Sequence, residues 1–225
     1  MNIKNSSIET ITRKRGATDK MPDMLKNKET EVELGDVADV VVGQILTRVV
    51  SKNNEGETVS VMMPKSIVAG TVIKEDLGEV ILAKAVDPDK YTRAGDVVIK
   101  LSTPYDAAYV MEAEAGLLLP SFCAAIRIME GSEIDAKYLS AFINSSYVKE
   151  QLTTKVVGSA RPMIKVTDIR TLKIPKVSAR DMKDIGEAYI LSGEKKAILY
   201  EMIETENKLM ENIVLESIKE VEGNG

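Results

Sequence analysis

The sequence predicts an α+β fold: one mixed domain on a twisted, mostly antiparallel sheet with helices, followed by a long C-terminal α-helical region. Two observations carry that reading. From Leu34 onward, short β-branched runs recur between Gly, Asp, Asn and Pro, the rhythm of strands and turns. From residue 179 the texture becomes that of a long helix, with apolar residues at helical spacing and Glu and Lys between them. At 225 residues the chain is long enough for one ordinary domain plus an appendage. Apolar residues make up 44%, but with seven Tyr, two Phe and no Trp the core must be aliphatic.

Residues 1–30 are polar, include "TRKRG" and "KNKET", and show no sustained apolar period, so they read as a mobile or disordered arm. Residues 31–178 form the expected domain. "LGDVADVVVGQIL", "TVSVMM", "GEVILAKAV", "AGDVVIKLS" and "FCAAIRIM" are its strand runs, and Asn53-Asn54-Glu55-Gly56 between two of them reads as a hairpin loop. "DAKYLSAFINSSYVKEQLTTK" then predicts one helix, with Leu139, Phe142, Ile143, Val148 and Leu152 on a buried face. Asp135 caps its first turn, and Gly158 and Pro162 stop it. "VTDIRTLKIP" predicts a helical turn running into an extended segment, because the residue before Pro175 is pushed out of the helical region. Residues 179–225 form the last element, an amphipathic helix whose stripe runs through Ile185, Tyr189, Ile198, Met202, Leu209, Ile213 and Ile218. At about 60 Å for some 40 residues, it outreaches a domain of this size. The stripe therefore asks for a partner helix, from a second chain or from a fold-back at Ser192-Gly193, in preference to packing on its own domain.

Composition removes whole chemistries. With no His there is no Ser-His-Asp or Cys-His nucleophile and no imidazole-ligated zinc. Cys123 is the only cysteine and sits in an apolar run, so it reads as a buried structural thiol. The Rossmann glycines and the phosphate-binding glycine loop are missing, and no cofactor is expected. No apolar run approaches the roughly 18 residues that cross a bilayer. The expected location is the cytoplasm, with no membrane partner.

The net charge of −5 conceals a distribution. Residues 1–30 sum to +3, residues 31–146 to −8, residues 147–179 to +5 and residues 180–225 to −5. The one cationic stretch of the expected domain contains "GSARPMIKVTDIRTLKIP", residues 158–175.

An ordered series of segments runs from residue 32 to the end: "VELGDVADVVVGQ" at 32–44, "AGDVVIKLSTPYDAAYV" at 94–110, "SFCAAIRI" at 121–128, "DAKYLSAFINSSYVKEQL" at 135–152, and the basic segment before a long helix. In that order the chain resembles the specificity subunit of type I restriction-modification systems, in a half-subunit form with one target recognition domain. The resemblance implies a non-catalytic subunit that reads double-stranded DNA, with residues 31–178 as the recognition domain. It also implies that residues 179–225 serve for dimerisation and for docking other subunits. The implied partners are a DNA adenine methyltransferase (modification) subunit, a restriction/translocase subunit and a second copy, the homodimer matching a bipartite site.

DNA contact needs cations and backbone amides for phosphate and forked polar side chains for base edges. Gly158, Ser159, Arg161 and Lys165 supply both, or alternatively close a capped turn. Lys100, Ser102, Thr103 and Tyr105 in "KLSTPYD" leave a strand for a Pro turn, where a sheet end carries function. Arg48, Lys52, Asn53 and Asn54 form a third polar loop; Arg13, Lys14 and Arg15 read as a basic arm on phosphate or, preferably, as disordered. Two rival readings stay open. One is a Mg²⁺-dependent nuclease built on Asp89 with Asp135 and Lys137, the other a protein–protein scaffold in which the helix is the point.

Overall fold

A computed structural model of the chain describes residues 31–156 and 162–223. β1 (Glu31–Glu33) runs through a single helical turn, α1 (Leu34–Val37), into β2 (Ala38–Val42). After a tight turn at Leu46–Arg48 come β3 (Glu57–Val61), the short pair β4 (Ile67–Val68) and β5 (Thr71–Val72), and β6 (Gly78–Leu82). β7 (Val97–Lys100), β8 (Ala107–Tyr109) and β9 (Cys123–Ile128) complete the inner strands. The helical layer is α2 (Ala136–Ile143), α3 (Ser146–Lys155) and α4 (Val166–Arg170); β10 (Lys173–Pro175) and α5 (Ala179–Gly223) follow.

The expected α+β class with antiparallel pairing is observed. The central sheet has the order β2-β9-β7-β8, each neighbour antiparallel. Its strands are rich in apolar residues on both faces, because both faces of the inner strands β7 and β9 are covered. Val97, Ile99, Ala124 and Ile126 point to the helical layer, against Leu139, Ile143, Val148 and Ile169. Val98, Cys123 and Ala125 point the other way, against Met62, Ile67 and Leu119. Cys123 is buried, and desolvation pushes its thiol up to about 12, so it is a packing residue. β3 and β6 form a satellite sheet over Val49, Val61, Leu82 and Leu118. β1 pairs antiparallel with β10, which ties the start of the described body to the chain just before α5.

Three local expectations are corrected. The segment 135–155 is two helices: Asp135 caps the first, accepting from the Tyr138 amide at 2.9 Å. Asn144 and Ser145 then interrupt it. The Ser145 hydroxyl accepts from the Val148 amide (3.3 Å) to start α3, and the Asn144 amide leaves the helix for strand β8. Short polar side chains that compete for backbone partners end a helix in this way. The Asn53–Gly56 loop is not a hairpin either. Val50 and β3 both pair with β6, at Leu82, so the loop passes across the end of the strand lying between them.

The fold-back at Ser192-Gly193 is absent. α5 is one continuous helix of 45 residues, about 67 Å long. Its glycines serve close approach rather than turning. A Cβ on Gly186 would lie 2.8 Å from the Tyr138 amide nitrogen on α2, and Gly193 rests against Gly70 and Thr71. Met182, Gly186, Ile190 and Gly193 are buried against the body and Tyr189 is half-buried. Tyr189, expected on the partner-facing stripe, instead packs its ring on Gly70. From Glu194 to Lys219 every side chain is exposed except Ala197, which is partly covered.

Candidate nucleic-acid interface

β2, β7 and β9 finish together at one end of the central sheet. Val42 pairs with Ala124, and Lys100 with Cys123. The segments beyond those residues therefore meet. Leu101 N–H donates to the Phe122 carbonyl (2.9 Å), Gly43 N–H to Cys123 (3.0 Å), and Ser121 N–H to Gln44 (2.8 Å). Ile164 N–H donates to the Leu101 carbonyl (2.8 Å), and Ser102 bridges to Met163. Thus 43–45, 101–103, 121–122 and 162–165 share one rim, although they are far apart in sequence.

On this rim Thr103 and Lys165 are exposed and Ser102 is half-buried; Arg48 is exposed too, in the turn between Leu46 and Val49, which pack on the satellite cluster. Lys165 stands at the start of α4, its backbone N–H donating to Asp168 Oδ2 at 2.8 Å, which leaves the ammonium to reach outward. Gly158, Ser159 and Arg161 lie outside the described residues.

Two residues of "KLSTPYD" do not fit a contact role. Tyr105 is only 1% exposed and lies in the main core. The turn that joins β7 to β8 sets it at φ 56°, and its hydroxyl finds no hydrogen-bond partner among the described residues. Lys100 is also covered, its ammonium 3.1 Å from Asp106 Oδ2. Burial pushes the Asp106 carboxyl up, but hydrogen bonds from Lys149 (2.5 Å) and Lys100 outweigh it and hold the group below its ordinary value. Strand alternation explains the miss: Lys100 is the last residue of β7, and the tight turn swings Tyr105 back under the sheet.

Lys52, Asn53 and Asn54 are exposed but belong to the satellite sheet. Their loop is braced internally. Ser51 Oγ donates to Asn53 Oδ1 (2.7 Å), Asn53 Nδ2 to Glu55 Oε2 (2.7 Å), and the Glu55 amide to Ser51 Oγ (3.1 Å). Asn54 takes the left-handed conformation, φ 59°, that Asn tolerates.

Phe122, 55% exposed, stands on the rim between Ser121 and β9, and the half-covered Ile45 follows Gln44. The run "FCAAIRIM" places Phe122 in a strand. The available signal was Pro120-Ser121 just before it, which delays the strand until Cys123. The carboxylates of the nuclease reading are otherwise engaged: Asp135 caps α2, while Asp89 meets Arg93 and, at 3.4 Å, Arg127. Among the described residues no three Cys, Asp or Glu side chains gather as a metal site.

No family model and no curated protein matches this chain. Solved structures do. A crystal structure of the HsdS subunit from Thermoanaerobacter tengcongensis is similar at 18% identity, covering 76% of this chain and 38% of that one, TM-score 0.48. A structure of a type I R-M system, concerned with complex assembly and conformational transition, is similar at 18% identity, covering 79% and 45%, TM-score 0.55. A Type-I restriction-modification system S subunit from M. genitalium is similar at 16% identity, covering 76% and 40%, TM-score 0.46. The second of these carries the likeness of fold. The chain spans less than half the length of each of these three structures.

Proposed function

We propose that the chain is a DNA-recognition subunit of a type I restriction-modification complex: residues 31–178 read DNA and residues 179–225 dimerise and dock other subunits. It would direct modification and restriction subunits to a bipartite site and catalyse nothing itself. The observation that supports this most is a rim of loops at one sheet end of a body from which a 45-residue helix projects. The fold shared with the type I R-M structure over 79% of the chain agrees with it. Two copies of the chain in a two-fold assembly would supply two recognition bodies.

On this reading Arg48, Ser102, Thr103 and Lys165 touch DNA, with Gly158, Ser159 and Arg161 from the neighbouring segment. Phe122 adds a planar apolar face that can stack on, or wedge beside, a base. An acidic protein must overcome its own field to bind a polyanion, so phosphate contacts and counterion release should dominate the affinity. The test is anisotropy of a mixed pool of labelled duplexes, with the chain alone and with its methyltransferase partner. Affinity is expected to fall roughly hundredfold or more between about 50 and 200 mM salt. Binding that is absent in both settings, or indifferent to salt, sinks the reading and leaves the scaffold alternative.

A further inference from the structure

At the end of the central sheet away from the rim, the body carries a cleft of about 450 Å³. β2 begins there at Ala38, opposite Ile128 at the close of β9, whereas the rim follows the Val42–Ala124 pair at the other end of the same two strands. Met129 N–H donates to the Val37 carbonyl (2.9 Å), which holds the loop after β9 beside α1 and makes one wall. The floor is apolar, with Val32, Val37 and Met129 half-buried and Ile134 buried. Asp36, Glu130 and Glu133 stand exposed around it. Lys176, 3.9 Å from Glu133, is the one cation among the described lining residues, so three carboxylates against one ammonium leave the mouth at −2.

We infer that residues 24–28 of this chain, "MLKNK", dock in the cleft, with Met24 and Leu25 on the apolar floor and Lys26 and Lys28 among the carboxylates. Where the described body starts favours this occupant. Glu31 pairs with Pro175, and the residues next to that pair, Val32 and Lys176, both line the cleft, so the preceding segment enters at its wall. Leu25 lies six residues before Glu31, a reach of up to about 20 Å. The charges also match. Residues 1–30 sum to +3 while residues 31–146 sum to −8, and "MLKNK" brings +2 beside two adjacent apolar side chains. Asp23 and Glu29, which an acidic mouth repels, bound the run on either side.

Other occupants are disfavoured by concentration. A tether this short holds the run at an effective concentration on the order of millimolar, so a second copy at tens of micromolar competes at a disadvantage of roughly a hundredfold. Arg13, Lys14 and Arg15 carry more charge, but they have only Ile11 as an apolar neighbour within two residues. Their tether is more than three times as long, which lowers the effective concentration roughly sixfold. Docked in the cleft, Lys26 and Lys28 neutralise carboxylates of the body at the sheet end opposite the rim and are not available to phosphate. The docking is independent of DNA binding.

The test uses the full chain under mild oxidation without DNA. Cys123 is buried, so an added cysteine pair is the one that reacts. Leu25→Cys with Val37→Cys should form an intrachain disulfide at a rate independent of protein concentration, roughly tenfold or more faster than Leu25→Cys with Thr103→Cys on the rim. Lys26→Glu with Lys28→Glu should slow that reaction roughly three- to tenfold, and adding Asp36→Lys with Glu130→Lys should restore it to within about twofold. Asp36 and Glu130 are exposed, so their reversal leaves the fold intact. If Val37→Cys does not fold, Ser132→Cys on the same lining takes its place. A reaction no faster than the rim control, or one that the charge reversals leave unchanged, overturns the docking. Disulfides that join two chains give the cleft to a second copy, and faster capture of Ile11→Cys than of Leu25→Cys gives it to the upstream run; either result overturns the assignment to residues 24–28.

Discussion

Removing the hydroxyl of Tyr105 should not weaken DNA binding, because the ring is under the sheet and its oxygen has no partner among the described residues to lose. Tyr105→Phe is expected to leave stability unchanged or raise it by about 1 kcal/mol, read from urea unfolding. Phe122→Ala is the opposite case. With more than half its surface in water it supports little of the core, so stability should move by less than about 0.5 kcal/mol, while DNA affinity falls roughly fivefold or more if a base stacks there. Asn144→Ala should be costly, because this side chain receives the Ala107 N–H (3.0 Å) and donates to the Ala107 carbonyl (2.8 Å) on edge strand β8. The Ala107 carbonyl keeps the Gly70 N–H (2.8 Å), but the Ala107 N–H is left unpaired, at a cost of about 1–3 kcal/mol. At this scale the sequence was readable where a local rule acts, as with the Asp135 cap. It was not readable where topology decides: nothing near Asn144 in the chain announces that it will clamp a strand 37 residues away.

Among the elements, α5 contains two glycines that should respond to alanine with opposite signs. A methyl group at Gly186 meets the Tyr138 amide nitrogen at 2.8 Å, so Gly186→Ala must push the helix off α2 and is expected to destabilise by about 1–3 kcal/mol. At Gly193 the nearest atom is 3.4 Å away, an ordinary contact. There the gain in helix propensity wins, and Gly193→Ala should stabilise by roughly 0.5–1 kcal/mol, measured as a shift in thermal midpoint. α3 is held to the β7–β8 hairpin through Asp106, whose carboxyl bridges Lys149 and Lys100. Its folded value lies below the ordinary 3.8, so the unfolded chain takes up the proton first as acid is added. The stabilisation is present above the unfolded value and is lost as pH falls through the folded one. Asp106→Asn should therefore lower stability at neutral pH and flatten its loss in acid. The periodicity of α5 was legible, but the sequence stripe mixed two faces. Tyr189 joined it at correct spacing although it belongs to the body side, since spacing alone does not name the neighbour.

For the whole molecule, fold class and the order of body and helix could be read from texture, because apolar runs between turn residues and a long charged helix have few other solutions. The rim could not. The pairings that assemble it join Gln44 to Pro120 and Ser102 to Met163, and such registers depend on the complete sheet. The charge balance makes a prediction at this scale. Lys165→Glu and Arg48→Glu should each reduce DNA affinity about equally across unrelated sequences and flatten the salt dependence, whereas a base-reading side chain would change sequence preference instead.

The contact of Gly186 with α2 has a mechanical consequence. The part of α5 beyond Gly193 extends about 45 Å, while its direction is fixed by a few close contacts at the base. A tilt of roughly 5° there moves the far tip by about 4 Å, close to three residues of helix rise. The packing of one hydrogen-sized side chain thus works as a fine adjustment on a long lever. It sets how far from the proposed DNA-contacting rim any partner carried on the helix would be held.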